Sequence, residues 1–374
     1  MIARAGRALI LPASALVLAL VVGAIFVIAS SPLITGEVDW NLPLVAYLAL
    51  VKGSLGSVSG WIETLVNATP LILAGLSVGL CFKAGLFNIG AQGQALVGAL
   101  AAAAAGAAVA GSPPVVAIPI ALAAGFLAGG LYGLIPGALK AFTGAHEVVV
   151  TIMLNYVAIQ IIAWAITGPL QAPGASFARS PDVGSARLPT ILATAGHELH
   201  AGVLLALVAV PIIYWILARS TVGFEIRTVG ANPDAARYAG MRPRFLTMLT
   251  MSAGGVLAGL AGSAQILGVT GYMPAAYATN VGFDAITVAL LGRAHPVGIL
   301  FAALLLGGLR AGAPAMQIEA GIPVQMIDVL QAVMLFFLTA DIIVRRIFRL
   351  RKVEGGVDEL QTVSRTYGGQ TTAP

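Results

Sequence analysis

Long apolar runs constrain this chain more than any other feature. No charged residue falls between Leu9 and Ala29, and comparable runs recur along the sequence. A run of this length matches the roughly 20 apolar residues that cross a hydrocarbon core. Composition says the same. Of 374 residues, 20 are Lys or Arg and 15 are Asp or Glu, which makes 9% charged; a soluble domain carries about 25%. Hydrophobic residues make up 59%, with a mean hydropathy of +0.95. No soluble fold of this size hides so much apolar surface, so the solvent is lipid. The same figures exclude a disordered chain, a disulfide scaffold and a nucleic-acid binder. The single cysteine, Cys81, sits in an apolar run and reads as a packing residue. The 45 glycines suit helices packed closely in a bilayer.

The expected fold is an all-α integral membrane protein with about ten transmembrane helices. The spans fall near 9–30, 62–82, 86–109, 115–139, 147–168, 201–218, 247–268, 276–292, 297–313 and 324–344. Helices are required because lipid offers the backbone no partner outside a helix or a closed barrel, and ten-residue alternating strands are absent. The first run is long for a signal peptide and is read as a helix.

Orientation follows from the cations. With both termini in the cytoplasm, sixteen of the 20 Lys and Arg residues fall on the inside; Lys52, Arg179, Arg187 and Arg310 fall outside. That is a strong positive-inside bias, and the net excess of five charges is a loop bias, not a polyanion site. Ten spans divide as five plus five, the second half beginning on the opposite side, so any repeat is inverted. Residues 31–61, with Trp40 and Trp61, suggest an interfacial helix or loop. The Pro-, Ser- and Gly-rich stretch 169–200 is expected to be exposed. Residues 1–345 are expected to form one transmembrane domain, with a cytoplasmic loop at 219–246, and 346–374 a basic, then disordered, tail.

Two spans open with glycine-interrupted polar starts at corresponding places in the halves. One reads Phe87-Asn88-Ile89-Gly90-Ala91-Gln92-Gly93-Gln94, the other Asn280-Val281-Gly282-Phe283-Asp284. Such interruptions are the best sequence pointer to a transport path. Asn88, Gln92, Gln94, Asn155, Asn280 and Asp284 are therefore candidate path-lining residues. Amides offer donors and acceptors without charge, which suits a neutral polar solute. The alternative for them is interhelical hydrogen bonding, at about 0.6 kcal/mol per bond. Asp284 lies in a segment with no other charge from Pro274 to Leu291. A bare carboxylate there costs about 2.5–3.5 kcal/mol on the insertion scale, so something offsets it. Gly282 is expected to break the helix and leave Asp284 capping the following half-helix, with or without a role toward solute.

Catalytic signatures are missing. No G-x-x-x-x-G-K-[ST] occurs, and His197-Glu198-Leu199-His200 has the wrong spacing for H-E-x-x-H. No metal or cofactor is expected. In the inside loop, Asn232 suits an N-cap, Pro233 the first helical position, Asp234 the positive end and Gly240 the left-handed stop. This predicts a helix of about two turns, with Ala235, Ala236 and Ala239 as a small face that can enter a groove.

Here the sequence resembles a family. Asp234-Ala235-Ala236-x-x-x-Gly240 resembles the E-A-A-x-x-x-G loop of ABC importer permeases, with Asp for Glu. Gly85 to Gln94 resembles the GLFNIGAEGQ signature of the permeases for simple sugars, nucleosides and branched-chain amino acids, Gln92 replacing the usual Glu. Gly282 to Arg293 and Thr151 to Tyr156 continue the match, which extends over residues 60–345 and looks nearest to the nucleoside (purine-lipoprotein-linked) branch. The resemblance implies a non-enzymatic permease subunit in a bacterial cytoplasmic membrane, translocating a nucleoside or simple sugar. It implies a separate ABC ATPase docking on the 233–239 helix through Asn232, Asp234, Ala235, Ala236 and Gly240, a second permease paralogue and an extracytoplasmic binding lipoprotein. An ion-coupled secondary transporter is the alternative, although Asp284 is nearly the only acid well inside a span. A channel lacks a filter motif.

Overall fold

The computed structural model describes residues 2–194, 196–277 and 280–340. The tail at 346–374, and the basic residues expected there, lie outside the described residues.

The fold is mostly helical. In chain order come α1 (Ile2–Thr35), α2 (Leu42–Leu55), α3 (Val58–Lys83), α4 (Ala91–Ala108), α5 (Pro114–Thr143) and α6 (Glu147–Thr167). A two-stranded antiparallel hairpin follows, β1 (Thr190–Thr194) and β2 (His197–His200). Then come α7 (Gly202–Arg219), α8 (Thr221–Ala231), α9 (Pro233–Tyr238), α10 (Pro243–Gln265), α11 (Val281–Leu291), α12 (Pro296–Ala320) and α13 (Met326–Thr339). Among the described residues, eight helices (α1, α3 to α7, α10 and α12) are long and apolar enough to cross a membrane. They match eight of the ten expected spans. Among the described residues the other two are shorter, at 11 residues for α11 and 14 for α13; residues 341–344 of the expected last span lie outside the described residues. Hydropathy sees the apolar content of 276–292, but among the described residues the helix there runs from Val281. Before it, Gly271 turns left-handed at φ 73° and ends a π-helical turn that extends α10. The span expected from 86 likewise starts late, at Ala91, because Gly85 takes φ 69°.

α3 is the most buried of the eight and packs against α10, α11 and α12, with α7 alongside. A second apolar cluster joins α4, α5 and α6. Glycine sets the closest approach. A Cβ on Gly255 of α10 would lie 2.2 Å from the Gly129 carbonyl of α5, and one on Gly98 of α4 only 2.4 Å from the Gly259 Cα. Three helices thus touch backbone to backbone, as small residues allow in membranes.

One expectation gains detail and one needs correction. Residues 31–61 hold a helix packed into the bundle: α2 lays Leu42, Ala46 and Leu50 inward and meets α12, where a Cβ on Gly312 would sit 2.1 Å from the Leu50 carbonyl. Trp40 and Trp61 remain exposed. The stretch 169–200 is not simply exposed, for Ser180, Val183, Ala186 and Leu188 are buried. Its backbone pairs with the unwound segment after α10: Ser180 N–H donates to Met273 O (2.8 Å), Val183 N–H to Gly271 O (2.9 Å) and Leu188 N–H to Leu267 O (2.8 Å). A broken helix in lipid needs such internal partners. At the end of β2, His200 is buried, and its Nδ1 accepts the Gly202 N–H at 3.1 Å. Desolvation holds its imidazole below the usual range.

The α5–α10 contact makes a prediction. Gly255→Leu drives a side chain into backbone and should exceed the usual overpacking cost of about 1–3 kcal/mol. Size-exclusion chromatography of the detergent-extracted chain should show loss of the monodisperse peak. Gly111→Ala, with nothing within 4 Å of the new Cβ, should elute as wild type.

Candidate functional site

The two interrupted helices meet. Gln92, in the first turn of α4, accepts the Gly282 N–H of α11 on Oε1 at 2.8 Å. A Cβ on Gly282 would lie 2.1 Å from the Gln92 nitrogen, so only glycine admits this contact. Around it, amides close a buried polar cluster. Asn88 and Gln94 pair reciprocally: Asn88 Nδ2 donates to Gln94 Oε1 (2.9 Å), and Gln94 Nε2 donates to Asn88 Oδ1 (3.1 Å). Asn155, from α6, accepts the Gly93 N–H on Oδ1 (2.8 Å) and donates to Ile89 O (3.1 Å). Its amide therefore holds both the unwound stretch before α4 and the first turn of that helix.

Four of the six candidate residues (Asn88, Gln92, Gln94 and Asn155) share this cluster. Asn280 stands apart; it is exposed at the start of α11, and its side chain makes no cap bond. Asp284 does not cap α11. It lies one turn inside the helix, and its carboxylate accepts from Arg310 of α12 on Oδ2 and from Gln331 of α13 on Oδ1. Sequence reasoning placed Arg310 outside the membrane and passed over Gln331. The signal was present, since Arg310 falls inside the expected span 297–313 and an intramembrane acid calls for an intramembrane base.

The loop helix forms as expected. Asn232 Oδ1 accepts the Asp234 and Ala235 N–H groups, both at 3.0 Å, and Gly240 adopts φ 83°. The three alanines do not share a face. Ala236 is buried against the chain, whereas Ala235 and Ala239 are exposed beside Tyr238, itself 95% exposed. α8 ties this loop to the amide cluster: a Cβ on Gly230 would lie 2.3 Å from the Lys83 carbonyl, just where α3 gives way to the 84–90 stretch. Contacts thus run from α9 through α8 to the residues preceding Asn88.

Comparison with known proteins identifies the family. Residues 60–339 match the family described as branched-chain amino acid transport system, permease component. The chain belongs to that family. It is a non-catalytic permease component of an ABC transport system. Among its relatives is the guanosine ABC transporter permease protein NupP of Bacillus subtilis (strain 168), 39% identical over 93% of this chain and 97% of the relative. The glucose ABC transporter permease protein TsgB13 of Haloferax volcanii is 38% identical over 79% and 80%. The nucleoside ABC transporter permease protein NupB of Lactococcus lactis subsp. cremoris is 34% identical over 90% and 92%.

The joint yields a prediction. Gln92→Leu leaves the Gly282 N–H without its acceptor and should cost about 1–3 kcal/mol. Gln92→Glu keeps an oxygen there and should cost less. Thermal unfolding of the detergent-solubilised chain measures both.

Proposed function

We propose that this permease imports a nucleoside, with a simple sugar as the other solute class, and that the α4–α11 joint borders the path. The observation that carries this reading is the continuous contact from α9 through Gly230 to the amide cluster. A push on the cytoplasmic loop has a direct route to the place where both interrupted helices begin. The cluster itself suits the solute. Amides hydrogen-bond to hydroxyls and base edges without demanding charge. The nucleoside and glucose names of the relatives support the same class.

In this reading both termini lie in the cytoplasm of a bacterial cell and the bundle sits in its cytoplasmic membrane. The halves form a five-plus-five inverted repeat, with α4 and α11 as its matching interrupted helices. Asn232, Asp234, Ala235, Ala236 and Gly240 shape the helix that docks on a separate ABC ATPase; Ala236 anchors it, and the exposed Ala235, Tyr238 and Ala239 meet the partner. An extracytoplasmic binding lipoprotein delivers the solute to the opposite side. A second permease, a paralogue of this chain, covers the exposed side of α6. There Tyr156, Gln160 and Trp164 recur at helical spacing along a concavity of about 400 Å³. An amide halfway along a span is out of place against lipid tails.

The test is coupling. Gly240→Val forces a β-branched residue into a left-handed conformation, at a cost of about 1–2 kcal/mol, which corresponds to roughly tenfold in an equilibrium. ATP-driven uptake of labelled guanosine by the assembled transporter should fall about tenfold, while the amount of chain in the membrane stays near wild type. Unchanged uptake would remove α9 from the coupling route.

A further inference from the structure

α11 has 11 residues, or about 16 Å at 1.5 Å per residue. A hydrocarbon core is about 30 Å thick, so protein must hold this half-helix at depth. Its first two turns have two polar anchors. One is the Gln92 bond to Gly282. The other is Asp284, with each carboxylate oxygen taken by a different helix, Arg310 from α12 and Gln331 from α13. The Asp284 side chain is 9% exposed and that of Arg310 26%. Stability does not account for such a pair, because well-packed apolar side chains of similar volume are often as stable or more so. What the pair adds is direction. Guanidinium and carboxylate bind only in a restricted set of orientations, whereas apolar surfaces slide.

We propose that Asp284 and Arg310, steadied by Gln331, form a positioning pair for transport. The pair fixes the rotation and depth of α11 against α12 and α13, and so sets where Gly282 meets Gln92. Arg310 and Gln331 act through Asp284 and need not touch the solute. The inference rests on the import reading above.

The experiment uses the assembled transporter in nanodiscs for stability and in proteoliposomes for uptake. Asp284→Asn and Arg310→Gln are made singly, and Asp284→Leu is combined with Arg310→Met. Each single variant leaves one group buried without its partner and should unfold at a lower temperature. The double variant should regain the wild-type Tm or exceed it. Its maximal rate of guanosine uptake should nevertheless stay about tenfold or more below wild type, with the KM for solute-loaded binding protein unchanged. A double variant that transports normally would reduce the pair to packing and overturn the proposal. A double variant no more stable than the singles would show that the two groups are not coupled, and would overturn it too. Failure of the import reading looks different. The wild-type assembly would then show no ATP-driven uptake of guanosine or glucose, and the Tm pattern would still decide whether the pair exists.

Discussion

In hydrocarbon, a backbone N–H or C=O without a partner costs several kcal/mol. The stretch 84–90 before α4 and, among the described residues, 271–277 before α11 leave the helical ladder. Much of the rest of the structure supplies what they lack. Asn155 reaches from α6 to Ile89 and Gly93. Residues 178–188 lie along the second stretch and trade backbone hydrogen bonds with it, down to Ala275 N–H on Ala178 O. Gln92 closes the gap between the two helix starts. Gln92 and Asn155 thus tie the helix starts to the irregular backbone, and the proposed path for a polar solute runs beside that backbone.

Glycine makes the geometry possible. Gly282 lets α11 start against the Gln92 backbone, and Gly230 lets α8 sit on the Lys83 carbonyl. Both contacts bring backbone against backbone without side chains as cushions. In the proposed coupling route, displacement of the α8–α9 loop passes to the 84–90 stretch with little slack. The α4–α5–α10 contacts are made between regular helical backbone.

The sequence made local features legible and distant partnerships obscure. The α9 helix could be read in detail because each signal (Asn232, Pro233, Gly240) acts within a few residues. Eight spans could be read because apolar content and length decide them. α11 was overestimated because hydropathy counts apolar side chains without asking whether the backbone is helical, and, among the described residues, the span expected from 276 has its helix only from Val281. The polar starts at Asn88–Gln94 and Asn280–Asp284 were visible as a pair; that Gln92 and Gly282 touch depends on chain 190 residues apart. The same distance problem hid the partners of Asp284. It was expected to cap its own helix, the nearest solution, while Arg310 and Gln331 come from two later helices. Ala236 was placed on an outer face because three alanines at close spacing look alike until the bundle beneath them is known.

The most direct measurement is the accessibility of the amide cluster during the transport cycle. In a Cys81→Ala background, Asn88→Cys places a thiol where the side chain is now fully buried. A water-soluble thiol reagent should leave it unmodified in the resting transporter and modify it when a non-hydrolysable ATP analogue holds the ATPase engaged, with guanosine slowing the reaction. Equal reactivity in both states, with no protection by solute, would contradict the account.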